Sequence, residues 1–504
     1  MTVRTVRAAV DAQAAARSAS PYFISPETGC ALTFGALRDN AIRLHGELRT
    51  LGAAPGDKIA LYMGNGIATA QLFVGAMYAG YTIVPLNLLA QGAQLEYVLD
   101  HCDARLVFVA PDEMAKVAAA AAKLARAPRL VAVDPDAVDF LSRAAYAPLP
   151  PVDGADDALM MYTSGTTGKP KGVVLAQSAV IAGGRFVSEA HALSSADRVL
   201  GTLPLYHING QIVQATAPLL HGGSLVMPHR FSASAFWRLA AAHRCTWINV
   251  VPTIISYLLA GPDPRAEGID ISAIRFCRSA SAPLAPEHHR AFEAKFGIGV
   301  IETMGLTETA APCFTNPLEH ARRKVGSPGR AFGNEAKVAG PDGRECGPRE
   351  TGEILVRGAN VMKGYYKAPE ETAKALEPDG WLHTGDLGFL DEDGFVFVTG
   401  RLKELIIKGG ENIAPREVDE ALIRHPAVLE AAAVGVPDAH YGQEIFACVI
   451  LRPGERADED ELKAFCRAEI GAYKTPRAIR IVEDLPRGPS GKVQRLKLVE
   501  LLTA

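Results

Sequence analysis

The stretch Tyr162-Thr-Ser-Gly-Thr-Thr-Gly-Lys-Pro-Lys-Gly172 gathers hydroxyls, glycines and two lysines directly after the apolar run 158–161. Glycine lets a backbone approach an anion closely, and successive N–H groups with hydroxyls can wrap phosphate oxygens. Phosphate binding is therefore the chemistry this composition suits. The spacing is not that of a Walker loop, which needs four residues between its first glycine and Gly-Lys-Ser/Thr. Only two separate Gly165 from Gly168. Taken alone, the same residues also suit a surface hairpin.

Other residues are ambiguous one at a time. Asp386 ends Trp381-Leu-His-Thr-Gly-Asp386. A carboxylate accepts two hydrogen bonds at once, which suits a cis-diol, but an Asp after Thr-Gly also caps turns. Glu308 reads as a helix-start carboxylate, His207 as a core histidine, Gly409-Gly410 as a turn and Lys492 as an exposed lysine.

Their order removes the ambiguity. The loop resembles the signature of adenylate-forming enzymes: acyl-CoA synthetases, aryl-CoA ligases, luciferases and peptide-synthetase adenylation domains. Further motifs follow in that family's order. They are Leu203-Pro-Leu-Tyr-His207, Ser281-Ala-Pro-Leu284, Met304-Gly-Leu-Thr-Glu308, Gly352-Glu-Ile354, the Asp386 motif and Gly400-Arg-Leu-Lys-Glu-Leu405. Gly409-Gly-Glu-Asn-Ile413 and Pro486-Arg-Gly-Pro-Ser-Gly-Lys492 complete the set.

The resemblance implies two half-reactions. A carboxylate attacks the α-phosphate of ATP, giving an acyl-adenylate and pyrophosphate; a thiol, usually that of CoA, then displaces AMP. It implies that Thr163, Ser164, Gly165, Thr166, Thr167 and Gly168 hold the β- and γ-phosphates and that Lys171 adds charge. Ala282, Pro283 and Met304 belong to the nucleotide site. Thr307 contacts the α-phosphate, Glu308 holds Mg²⁺, and Asp386 with Arg401 holds the ribose. Lys492 bridges carboxylate and α-phosphate, lowering the repulsion between two anions. Lys403 is the hinge, and Gly409, Gly410, Glu411 and Asn412 line the thiol tunnel after domain alternation. His207 gates the thiol and borders an acyl pocket with Asn209, Gln211, Arg278, Ser279 and Ser281.

There are three departures from the family pattern. Ala176-Gln177 replaces Thr-His, Met304 replaces the aromatic that stacks on adenine, and Pro328 stands where an apolar residue is common. The segment His207-Ile-Asn-Gly-Gln-Ile-Val-Gln214 is more polar than a fatty-acid tunnel. Stretches such as Arg278-Ser-Ala-Ser-Ala-Pro-Leu284 and Thr315-Asn-Pro317 look similar to oxalyl- and malonyl-CoA synthetases. The expected substrate is a small to medium acid, with a polar or dicarboxylic one favoured and a small aryl or short-chain acid also open. The rival readings are an adenylating enzyme that loads a carrier protein and a nucleotide-binding protein without turnover. A homodimer is compatible with the family.

The elements that must position these residues follow a β-α-β rhythm. Strands are expected at 58–63, 105–109, 130–133 and 158–161, helices at 68–78 and 112–127, and a strand-like run at 202–206. Residues 147–155 read as a loop. Short strands at 352–357, 381–387 and 394–398 suggest a β-rich subdomain. Beyond 401 come a helix at 416–424, a strand at 428–434 and a helix capped by Asp458 with Leu462, Phe465, Cys466 and Ile470 on its apolar face. The expected fold is a large α/β domain, 1–400, of two α/β subdomains and a distorted β-barrel. A hinge at 401–403 and a small mobile α+β domain, 404–504, follow.

Composition agrees. The chain has 504 residues, 48% of them hydrophobic and 21% charged, and a net charge of −4. That balance lacks the basic surface of a nucleic-acid or anionic-membrane binder. Eight scattered cysteines without a CxxC pair argue for free buried thiols rather than disulfides or zinc. No apolar run reaches the ~18 residues of a membrane span, so the cytoplasm is expected. Residues 1–17 are read as a surface helix rather than a transit peptide.

Overall fold

A computed structural model describes residues 3–141, 144, 146–163, 169–487 and 493–503. Four sheets organise the chain. In the first, strands Thr82–Pro85, Lys58–Tyr62, Ala104–Val109 and Arg129–Ala132 run parallel, and the hairpin of Asp157–Thr163 and Lys171–Ala176 closes one side. In the second, Ser224–Val226, Arg198–Gly201, Trp247–Val250, Phe276–Ser279 and Val300–Leu306 run parallel in that order. Helix Ile67–Tyr78 is buried along its whole length rather than on one face, as its almost uniformly apolar sequence demands.

The β-rich part is not a barrel. Strands Asn334–Ala339, Gly352–Gly358, Leu382–Leu390 and Val396–Arg401 make an open antiparallel sheet, with no closure among the described residues. The small C-terminal domain has its own sheet, led by Val428–Asp438 paired with Gly442–Leu451. Helices Pro415–Ile423 and Glu459–Ile470 pack against it around a separate apolar core. Asp458 caps the second helix, accepting from the Glu461 N–H at 2.9 Å.

Two other local expectations need correction. The 112–127 helix is shorter, Met114–Ala121 after a turn at Pro111–Glu113. The chain has to reverse before strand Arg129–Ala132, and Pro128 disfavours helical backbone just before it. Residues 202–206 carry no strand: the ladder ends at Gly201, because Pro204 has no N–H to continue it. A π-helix, Asn209–Thr216, follows and is buried throughout.

The N-terminal helix Val6–Arg17 lies on the surface with Val6, Ala9, Val10 and Ala14 turned inward. All eight cysteines are free, and six of them are buried. No helix among the described residues is long and apolar enough to cross a membrane.

Candidate functional site

A cleft open to solvent runs between the two domains. The large domain lines it with Ser281, Ala282, Pro283, Glu302, Met304, Asp386 and Arg401. The small domain lines it with Arg416, Arg487, Val493 and Arg495, among others.

Asp386 and Arg401 are partners in register on neighbouring antiparallel strands, so the sheet itself sets their separation. Arg401 Nε donates to Asp386 Oδ1 at 2.6 Å. The Asp386 backbone N–H donates to Thr384 Oγ1 at 3.1 Å, and that hydroxyl donates to the Ile354 carbonyl at 2.6 Å. The carboxylate is thus oriented before any ligand arrives.

Strand Val300–Leu306 ends in the single turn Thr307–Thr309, which carries Glu308. A Cβ at Gly305 would lie 1.8 Å from the Ala311 carbonyl oxygen, so only glycine permits this turn. Tyr365 donates its hydroxyl to Glu308 Oε1 at 2.9 Å. The Tyr365 ring also lies under the Lys171 ammonium, 4.8 Å from its centroid. Among the described residues no group of three His, Cys, Asp or Glu could hold a metal by itself. A lone carboxylate such as Glu308 fits Mg²⁺, which is commonly bound by one or two carboxylates together with substrate phosphates.

Behind Ser281 lies a buried polar layer. Gly201, Asn249 and Arg278 stand side by side on three parallel strands. Arg278 Nη1 donates to the amide oxygens of Asn209 (3.2 Å) and Asn249 (3.0 Å), and Asn209 Nδ2 donates to Ser281 Oγ at 3.1 Å. Arg278 is 1% exposed and forms no ion pair among the described residues; burial pushes its guanidinium down to about 9. Arg278 Nε, Ser279 Oγ, Gln211 Oε1, both polar atoms of Gln214 and Thr202 Oγ1 are buried without a hydrogen-bond partner. His207 is neutral at physiological pH, since burial lowers it to about 4, and its Nδ1 accepts the Asn209 N–H at 3.3 Å.

The structure therefore gathers Ser281, Ala282, Pro283, Met304, Asp386 and Arg401 at the cleft, and brings Asn209 and Arg278 together behind Ser281. Asn209, Gln211, Arg278 and Ser279 do not line the cleft. Gln211 Nε2 is turned onto the Leu205 carbonyl at 2.6 Å. Gly409 and Gly410 turn a hairpin at φ +57° and +89°. With Glu411 and Asn412 they are exposed and apart from the cleft. Lys403 is exposed on the connecting turn. Ser164, Gly165, Thr166, Thr167, Gly168 and Lys492 lie outside the described residues. The Gln177 departure does not touch the cleft: its side chain accepts from the Val6 N–H and donates to the Met77 carbonyl, both at 2.9 Å, fastening the N-terminal helix.

Sequence reasoning missed Asn249, Glu302, Tyr365 and Glu371. Asn249 was detectable as the lone polar residue in Trp247-Ile-Asn-Val250. Glu302 is 2% exposed in the cleft wall. Its Oε1 accepts the Leu284 N–H at 3.2 Å, Oε2 has no partner, and burial raises it to about 7.

The model of the AMP-binding enzyme matches residues 10–366, and that of the AMP-binding enzyme C-terminal domain matches 417–492. The chain is 55% identical over 499 residues to a sulfoacetate–CoA ligase of Cupriavidus necator, covering 98% of this chain and 97% of that one. It is 36% identical to an oxalate–CoA ligase of Arabidopsis thaliana, with 88% of each covered. ATP-bound MatB from Rhodopseudomonas palustris superposes with a TM-score of 0.89 at 30% identity, 99% of each chain being covered.

Proposed function

The chain belongs to the AMP-binding enzyme family, and from its buried polar layer we infer that the acid it activates is small and carries a second anionic group, with sulfoacetate the first candidate. The enzyme is an AMP-forming acid:CoA ligase. It joins a carboxylate to the α-phosphate of ATP with loss of pyrophosphate, and CoA then takes the acyl group with loss of AMP.

The observation that carries the assignment of the acid is Arg278. A buried guanidinium without a carboxylate is costly, and neutral amide oxygens offset only part of its desolvation. A sulfonate or second carboxylate would complete it with charge-assisted hydrogen bonds. The unpartnered Ser279 hydroxyl and Gln214 Nε2 supply donors for the remaining oxygens. A plain alkyl or aryl acid would leave all of them unsatisfied.

In this reading Asp386 receives the ribose hydroxyls and Met304 packs against the base. Thr307 lies beside the α-phosphate, and Glu308 would hold Mg²⁺, which when bound offsets phosphate charge. Lys492 bridges the reacting anions. Arg487 and Val493 flank its segment and line the cleft, so the observed arrangement suits adenylation. The Gly409–Asn412 hairpin would reach the site only after rotation about residues 401–403.

Pyrophosphate release is the test, with sulfoacetate, oxalate, malonate, butyrate and benzoate, each with and without CoA. Sulfoacetate or a dicarboxylate is expected to give release and an acyl-CoA product. Turnover confined to butyrate or benzoate would overturn the assignment of the acid. Release without acyl-CoA would point to a carrier protein as acceptor.

A further inference from the structure

Beside the turn that carries Glu308 lies a charge arrangement that the reaction scheme does not use. Lys171 begins strand Lys171–Ala176, and its ammonium is paired with Glu371 Oε2 at 2.5 Å. The other oxygen of that carboxylate, Oε1, takes Lys374 at 3.0 Å. Tyr365 lies under Lys171 and hydrogen-bonds Glu308, so Glu371 stands at the end of a chain that reaches the candidate magnesium ligand. Strand Gly364–Tyr365 pairs with Val173 and Val174, and helix Pro369–Ala375 follows at once. The backbone therefore delivers Glu371 to Lys171; the pair is not a chance meeting of long surface chains. Lys171 keeps 19% of its side chain exposed and Glu371 34%, so the pair sits half in solvent, where a ligand can displace it.

We propose that Glu371 is a built-in competitor for the phosphate chain: it occupies Lys171 in the free enzyme, is displaced when polyphosphate binds, and re-pairs as pyrophosphate leaves. This role rests on Lys171 being a phosphate-binding residue. A carboxylate there weakens Mg-ATP and pyrophosphate together, because both present polyphosphate oxygens to the same ammonium. It leaves the acid and CoA sites untouched. The two lysines hold Glu371 down to about 2, so the competitor is charged at every working pH. The benefit is product release: a lysine with no rival anion would retain pyrophosphate and favour the reverse reaction.

The test is Glu371→Gln, read by direct binding of Mg-ATP and of magnesium pyrophosphate, and by pyrophosphate inhibition during turnover. Both ligands are expected to bind about two- to fivefold tighter, the worth of a partly exposed ion pair. The gain should shrink as ionic strength rises. KM for the acid and for CoA should not move. Lys374→Gln should act in the opposite sense, since Glu371 then bears on Lys171 alone. A damaged structure would weaken binding, so tighter binding separates competition from mere disruption. Unchanged or weaker binding in Glu371→Gln would overturn the proposal and leave Glu371 a support for Lys171. The binding readout needs no acid. A wrong acid assignment therefore shows as missing turnover in the wild-type enzyme, while the Glu371→Gln affinities still decide whether the carboxylate competes.

Discussion

The two halves of the proposed site are built on opposite plans. At the nucleotide half, the charged groups already have partners: Asp386 has Arg401, Glu308 has Tyr365 and Lys171 has Glu371. At the acyl half, Arg278 has only neutral partners, and the polar atoms around it are buried and unpaired. A solvent-open site can hold its charges in mutual pairs and exchange them for ligand at small cost. A buried polar layer cannot draw on water, so its unmet hydrogen bonds describe the ligand proposed to enter. The satisfied half is suited to a ligand that many relatives share, and the unsatisfied half to one particular acid.

Single substitutions should tell the two halves apart. The largest effect is expected at Lys492, the residue proposed to bridge the two reacting anions. Lys492→Ala should slow adenylation by about 10²–10³-fold, as loss of a transition-state charge contact does. It should leave thioester formation from supplied acyl-adenylate nearly intact; equal loss of both half-reactions would remove the bridging role. Next is Arg278→Leu, which should lower kcat/KM for the dianionic acid by roughly 10²-fold, the cost of a lost buried charge pair. Mg-ATP binding should be preserved and small monoanionic acids should gain. If ATP binding fell in step with acid turnover, the two halves would not be separable.

Asp386→Asn should raise KM for ATP by about tenfold, on the scale of a hydrogen bond to a charged group, with little change in KM for the acid. The smallest effect concerns pH. Glu302 binds its proton more tightly in the folded chain, at about 7, than in the unfolded chain. Its contribution is therefore fully present below the unfolded value and is lost as pH rises through about 7. Glu302→Gln should flatten that decline in melting temperature and make the protein more stable at pH 8, by on the order of 2 kcal/mol. A wild-type melting temperature that rises from pH 5 to 8 by as much as the variant's would contradict the burial argument.

The order of motifs from Tyr162 to Lys492 made the chemistry legible because each motif is local. Thr-Gly-Asp and Met-Gly-Leu-Thr-Glu fold their own turns, and the Gly305 and Gly385 backbones show why those residues are glycine. The strands of the first sheet were readable for the same reason, since buried parallel strands are continuous apolar runs. Other features failed where a distant neighbour decides. Pro204 is a local sign that the ladder stops before it, but the last rung at Gly201 is set by where strand Trp247–Val250 pairs. Nothing around residue 334 shows that the β-rich sheet stays open rather than closing.

The sequence by itself determined the reaction class and the two-domain plan, because a short motif carries its own backbone geometry and chemistry. Only the tertiary structure decided that Gln177 fastens a helix, that Glu371 meets Lys171 and that Arg278 is buried among amides without a counter-charge. Those pairings join residues 171, 200 and 69 positions apart. Burial and the choice of partner are properties of packing between elements, and no local pattern of residues encodes them.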